Sequence, residues 1–131
     1  MTSPRWVGKT ALTLLHAETL AEHGGPEGVR DEGSLDSAVA RPLNLHADEG
    51  VEDLARLAAA YATGIAHNHP FTDGNKRAAF LALGLFLALN GWRLTANKVE
   101  ATRVMFALAA GEVSEDDLTE WIRPRCERRA R

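Results

Sequence analysis

The chain has 131 residues, 45% apolar and 25% charged, with one cysteine and a formal net charge of −3. That size and balance describe one globular domain with a single core, and the lone Cys126 excludes an internal disulfide. Five arginines and one glutamate fall in residues 123–131, so the first 122 residues carry 10 basic and 17 acidic side chains, a net of −7 that excludes a broad nucleic-acid surface.

Alanine and leucine dominate and no alternating β-branched runs occur, so the fold class expected is all-α: a compact bundle of about six helices around a central apolar helix. The first helix is expected over Gly8 to His23, with "GGPEG" as its stop. In "VRDEGSLDSAVARPLN" a turn leads into a helix with Ser34 as N-cap, and Pro42 is expected to end it near Arg41. Acidic residues between Asp48 and Asp53 lead into the next helix, whose Leu54, Leu57, Ala58, Tyr61, Ala62 and Ile65 share one face. Pro70 should end that helix at about His69.

A further helix is expected from Asn75 to Asn90, closed by Gly91 and apolar nearly all round, and therefore central. Its longest apolar run, Ala78 to Leu89, is too short to span a bilayer. "WRLT" reads as a short extended piece, "NKVEATRVMFALAAG" as a helix closed by Gly111, and "SEDDLTEWIR" as a helix capped by Ser114 and ended by Pro124. The domain is expected to cover 1–122, with 123–131 a solvated, flexible basic tail. No secretory signal pattern opens the chain, and a cytoplasmic location is expected.

The polar run "HPFTDGNKR", residues 69–77, interrupts the most apolar region. Backbone N–H groups at the start of the helix that follows have no partners within it, and with the helix dipole they form an anion site. Gly74 allows a ligand close to the backbone. Lys76 and Arg77 oppose the dipole unless bound phosphate supplies the counter-charge. Asp73 is a hard oxygen ligand suited to Mg²⁺, and His69 is suited to take a proton from a hydroxyl. These are the parts of a phosphoryl- or nucleotidyl-transfer site. Phe71 is expected to point inward and pin the loop to the core.

Each of these residues taken singly has a plain structural reading as a turn former or a solvated charge; the cluster carries the inference. A transition-metal site at His67, His69 and Asp73 is the competing reading of the run. Arg30 and His16 read as hydrogen-bonding residues without chemistry of their own, and Cys126, with no base nearby, does not read as a nucleophile. "RPLNLH", Arg41 to His46, has a spacing seen in some helical ribonucleases, but Pro42 and the acidic body argue against it.

The run "HPFTDGNKR" resembles the signature loop of the Fic/Doc superfamily, and more narrowly the death-on-curing (Doc) branch of type II toxin–antitoxin toxins. Lys76 stands where the wider Fic pattern has its second glycine, and Phe80 where it has a second arginine; both departures mark the Doc branch. "LHAETLAEHGGPEGVRDEGSLDSAVARP", "FLALNGWRL" and "ALAAGEVSEDDLTEWIR" resemble the family's flanking segments in the same order.

The resemblance implies transfer of the γ-phosphoryl of ATP, with Mg²⁺, to a threonine of elongation factor Tu. His69 would be the general base, Asp73 the Mg²⁺ ligand, and Gly74, Asn75 and Lys76 the anion hole, with Lys76 and Arg77 supplying charge. Transfer of AMP to a protein hydroxyl is the alternative within the same chemistry, and a non-catalytic co-repressor module the alternative outside it. The resemblance also implies an antitoxin partner whose disordered segment folds on binding. No Ser or Thr followed four residues later by Glu and then Gly or Asn occurs, so inhibition is expected in trans.

Overall fold

The structure is a computed structural model that describes residues 3–26 and 28–129. Six helices dominate it: α1 (Lys9–His23), α2 (Glu32–Glu49), α3 (Leu54–Asn68), α4 (Asn75–Leu89), α5 (Lys98–Ala109) and α6 (Glu115–Ile122). Two short strands, β1 (Trp92–Leu94) and β2 (Cys126–Arg128), pair antiparallel in the register Trp92 to Arg128 and Leu94 to Cys126. The all-α architecture expected from composition is the one observed. None of the helices among the described residues is long and apolar enough to cross a membrane.

The central position belongs to α3. Ala55 and every residue from Leu57 to Ala66 are buried in it. Its alanines and Gly64 let neighbours approach on every side, so α3 packs against α2, α4, α5 and α6. The leucine-rich α4, apolar nearly all round, buries Ala78, Ala79, Ala82, Leu83, Phe86 and Leu87 and leaves Leu89 exposed. Leucines make a helix apolar; small residues let it be surrounded.

Two local expectations are corrected. The N-cap of α2 is Asp31, whose side chain accepts from the Ser34 N–H at 3.1 Å, and the helix continues through Pro42 to Glu49. Proline in a helix forgoes one backbone bond, here to Ala38. Packing offsets that loss: Leu35, Ala38, Pro42 and Leu45 form one buried face that only a continuous helix presents to the core. Arg41 and His46 of the ribonuclease-like spacing are both engaged structurally. Arg41 donates twice to Glu115, at 2.9 and 3.0 Å, and the His46 Nδ1–H donates to the Val51 carbonyl at 2.9 Å.

The basic tail is the second correction. Arg123–Arg125 form a 3₁₀ turn and Cys126–Arg128 form β2. Arg123 pairs with Asp53 at 2.6 Å, Arg125 pairs with Glu100 at 2.9 Å and lies over Trp121, and Arg128 lies over Trp92. A cationic segment beside an acidic body and two indole faces has partners, which a count of its charges alone does not reveal. The caps expected at Ser114 and Gly91 are in place, and Ser114 with Asp117 forms a reciprocal capping box.

Candidate active site

The polar run forms the junction between α3 and α4. α3 ends at Asn68, and His69 follows as its C-cap with φ 50 and ψ 54, the one left-handed non-glycine residue described. Such a conformation costs an ordinary residue about 1–3 kcal/mol and persists only where neighbours enforce it. Pro70 and Phe71 then turn inward and are buried; Thr72 and Asp73 return to the surface; Gly74, at φ 73, caps α4.

Phe71 is the anchor. It is fully buried and stacks on the His16 ring, with centroids 3.8 Å apart and planes 11° from parallel. The His16 Nε2–H donates to the Asp73 carbonyl at 2.7 Å. A carbonyl only accepts, so Nε2 carries the proton. The Asn75 carboxamide closes a ring with Phe71, accepting from its N–H and donating to its carbonyl, both at 2.9 Å. The side chain of Asn75 therefore shapes the loop, and its backbone N–H is left without a partner among the described residues.

The start of α4 is free. No side chain caps it, and the first helical bond runs from the Ala78 N–H to the Gly74 carbonyl. The amides of Asn75, Lys76 and Arg77 have no hydrogen-bond partner among the described residues and point out of the helix end, as an anion site requires. Arg77 folds back, its Nη1 3.6 Å from where a Cβ on Gly74 would stand. Lys76 leans towards α5, its Nζ 4.8 Å from the centre of the exposed Phe106 ring.

Asp73 is exposed and forms no ion pair among the described residues. Its carboxylate lies against Gly25, where an added Cβ would stand 2.7 Å from Oδ2. Gly25, at φ 116, leaves that room. An exposed carboxylate on the residue before Gly74, followed by unpartnered amides and two basic side chains in the first turn of α4, has the donor chemistry that a magnesium–polyphosphate ligand would need.

The same residues fit a transition metal poorly. His67 donates from Nε2 to the Leu108 carbonyl at 2.9 Å, and no group of three or more His, Cys, Asp or Glu gathers for a metal among the described residues. Burial pushes the Cys126 thiol up, which keeps it an inert thiol.

The sequence reads His16 and Arg30 only as hydrogen-bonding residues; the fold directs those bonds to the loop. His16, from α1, holds Asp73 from beneath. Arg30, from the segment before α2, donates from Nε to the His69 carbonyl at 2.7 Å and from Nη2 to the Asn68 carbonyl at 2.9 Å. Neither has a local signal, because each acts on backbone carbonyls more than 35 positions away. Phe80, one turn into α4, packs against the core and adds no cation to the site.

In this all-α fold the innermost helix ends at its C-cap His69, and the short loop that follows carries Asp73 to the uncapped N-terminus of α4. The Fic/DOC family profile matches residues 6–87, which cover α1 to α4 and the whole junction, and the chain belongs to that family. It is also 44% identical over 75 residues to Toxin Doc of Mycolicibacterium smegmatis (strain ATCC 700084 / mc(2)155), a stretch covering 56% of this chain and 58% of that toxin.

Proposed function

We propose that this protein is a Doc-type toxin that transfers the γ-phosphoryl of ATP, as its magnesium complex, to a hydroxyl of elongation factor Tu in the cytoplasm. The observation that carries the reading is the uncapped start of α4: three outward amides, Gly74 without a side chain, and Arg77 folded over it. His69 takes the proton of the acceptor hydroxyl as its oxygen bonds to the γ-phosphorus. The bond from that phosphorus to the β–γ bridging oxygen breaks, and ADP leaves. Asp73 would hold magnesium, which would supply neutralising charge to the phosphates. Asn75, Lys76 and Arg77 contribute amides, and the two cations complete the clamp.

Lys76 in place of a glycine, and Phe80 in place of a second phosphate-binding arginine, favour phosphoryl transfer over AMP transfer. A lysine side chain fills space a nucleotide would otherwise cross, and an aromatic ring offers no phosphate clamp. A partner that inhibits in trans, with a disordered segment that folds on binding, completes the toxin–antitoxin reading.

The test uses α-³²P- and γ-³²P-labelled ATP with Mg²⁺ and elongation factor Tu. Label from the γ-position alone on the factor, absent with His69→Ala, is the expected result. Label from the α-position would replace the reading with AMP transfer. Growth arrest that persists unchanged in His69→Ala would leave a binding module.

A further inference from the structure

At the C-terminal end of α3 the backbone carbonyls need partners from elsewhere. The last carbonyls of a helix have none inside it, and here they belong to the segment that carries His69. The Ile65 carbonyl is taken by the His69 N–H at 3.2 Å. The Asn68 and His69 carbonyls both go to the Arg30 guanidinium, at 2.9 and 2.7 Å. The Pro70 carbonyl accepts from the N–H groups of Arg30 and Asp31, at 2.7 and 3.2 Å, and the Thr72 N–H donates to the Gly28 carbonyl at 3.1 Å. Residues 28–31 thus form a strap across the loop, with Val29 and Phe71 bridged antiparallel at its middle.

We propose, resting on the reading of His69 as the base, that Arg30 is a positioning residue. It holds His69 in its left-handed conformation and so fixes where the imidazole stands. The guanidinium is well suited to this, because its planar fork reaches two successive carbonyls at once and a cation at a helix C-terminus is favoured by the dipole. His69 needs such a restraint because its backbone is the strained one, and Pro70 prevents the helix from continuing through it. The phosphate site does not depend on Arg30. It is built from α4, which His16 and Asn75 hold through separate bonds.

The separation gives a readable signature. Arg30→Ala is expected to lower kcat roughly ten- to a hundredfold, the scale of a misplaced catalytic group, while KM for MgATP stays within about twofold. Arg30→Lys keeps the charge but not the fork and should recover part of the loss. The three-bond amide coupling of His69, which reports φ, should leave its left-handed value in Arg30→Ala while the couplings of Lys76 and Arg77 stay as in the wild type. A His69→Ala protein that is inactive beside an Arg30→Ala protein with wild-type kcat overturns the assignment of Arg30 alone. An unchanged His69 coupling in Arg30→Ala overturns it as well. If both variants transfer label as the wild type does, the reading of the site falls and the role of Arg30 falls with it.

Discussion

At the scale of single residues, the site depends on atoms that are missing as much as on those present. Gly25 lies on the loop after α1, where an added Cβ would stand 2.7 Å from the Asp73 carboxylate. Gly25→Ala is therefore expected to push that carboxylate aside. The carboxylate is a mobile side-chain end, so the collision itself is mild; the cost to the fold comes from placing alanine at φ 116, about 1–2 kcal/mol. Magnesium titrations of the proposed transfer reaction should show at least a tenfold weaker apparent metal affinity, a larger effect than the fall in thermal stability explains. A titration that superimposes on the wild type would detach Asp73 from metal binding. Tyr61 offers a second test at this scale. Its hydroxyl, in the core, accepts from the Val7 N–H at 2.9 Å and donates to the Val7 carbonyl at 3.2 Å. Burial pushes its pKa up to about 12, so the folded state keeps the proton that the unfolded chain loses near its ordinary value of 10. Stability from this source is intact below pH 10 and is lost as pH rises towards 12, by about 2–3 kcal/mol. Tyr61→Phe should flatten that alkaline limb in denaturant melts. At neutral pH it should cost about 1–3 kcal/mol, because both Val7 groups lose their partner.

At the scale of elements, one substitution made in two helices should change sign with the neighbour it meets. Gly64 in α3 faces α2 so closely that a Cβ would stand 3.2 Å from the Ala38 Cα. Backbone cannot step aside as a side chain can, so overpacking of about 1–3 kcal/mol exceeds the roughly 1 kcal/mol that alanine gains over glycine in a helix. Gly84 in α4 has nothing within 4 Å of that position. Gly84→Ala should raise the melting temperature and Gly64→Ala lower it, each by a few degrees; a shift of the same sign in both would refute close contact at Ala38. The same contact explains what the sequence hid. The amphipathic face of Leu54, Leu57, Tyr61 and Ile65 was legible as a buried stripe, and Ser114 and Gly91 were legible as caps, because those signals are local. The passage of α2 through Pro42 was not, because the compensation comes from a helix meeting it across Ala38 and Gly64. Apolarity pointed to α4 as the centre, whereas side-chain size, which decides how many neighbours a helix can hold, put α3 there. Within the site, the run from His69 to Arg77 was legible as one cluster because it is contiguous. Its supports at His16 and Arg30 were not, since their partners are carbonyls with no residue identity to read.

At the scale of the whole molecule, the basic segment and the candidate site lie at opposite ends of α4. The site is built on the N-terminus of that helix, and β1 follows its C-terminus after 15 residues, a separation of about 22 Å at the helical rise. The basic segment closes onto β1 at the far end, where the Arg129 N–H donates to the Gly91 carbonyl at 3.0 Å and Arg93 pairs with Glu127. It returns four positive charges net to a body of −7. Its ion pairs are largely exposed and are worth about 0.2–1 kcal/mol each, weakened by salt. Strand pairing with β1 and the packing of Cys126 add a part that salt does not screen. Deletion of residues 123–131 should therefore lower the melting temperature by roughly 5–15 °C in dilute buffer, corresponding to about 2–3 kcal/mol. The deficit should shrink, without vanishing, as salt rises towards about 1 M. Phosphoryl transfer by the folded fraction should be unchanged, because no residue of the segment reaches the α3–α4 junction among the contacts described. A deletion that melts like the full chain would make the strand pairing dispensable. One that keeps its melting temperature but loses transfer would mean that the distant end of the molecule takes part in the chemistry, and the spatial division between an electrostatic clasp at one end of α4 and a phosphate grip at the other would fall.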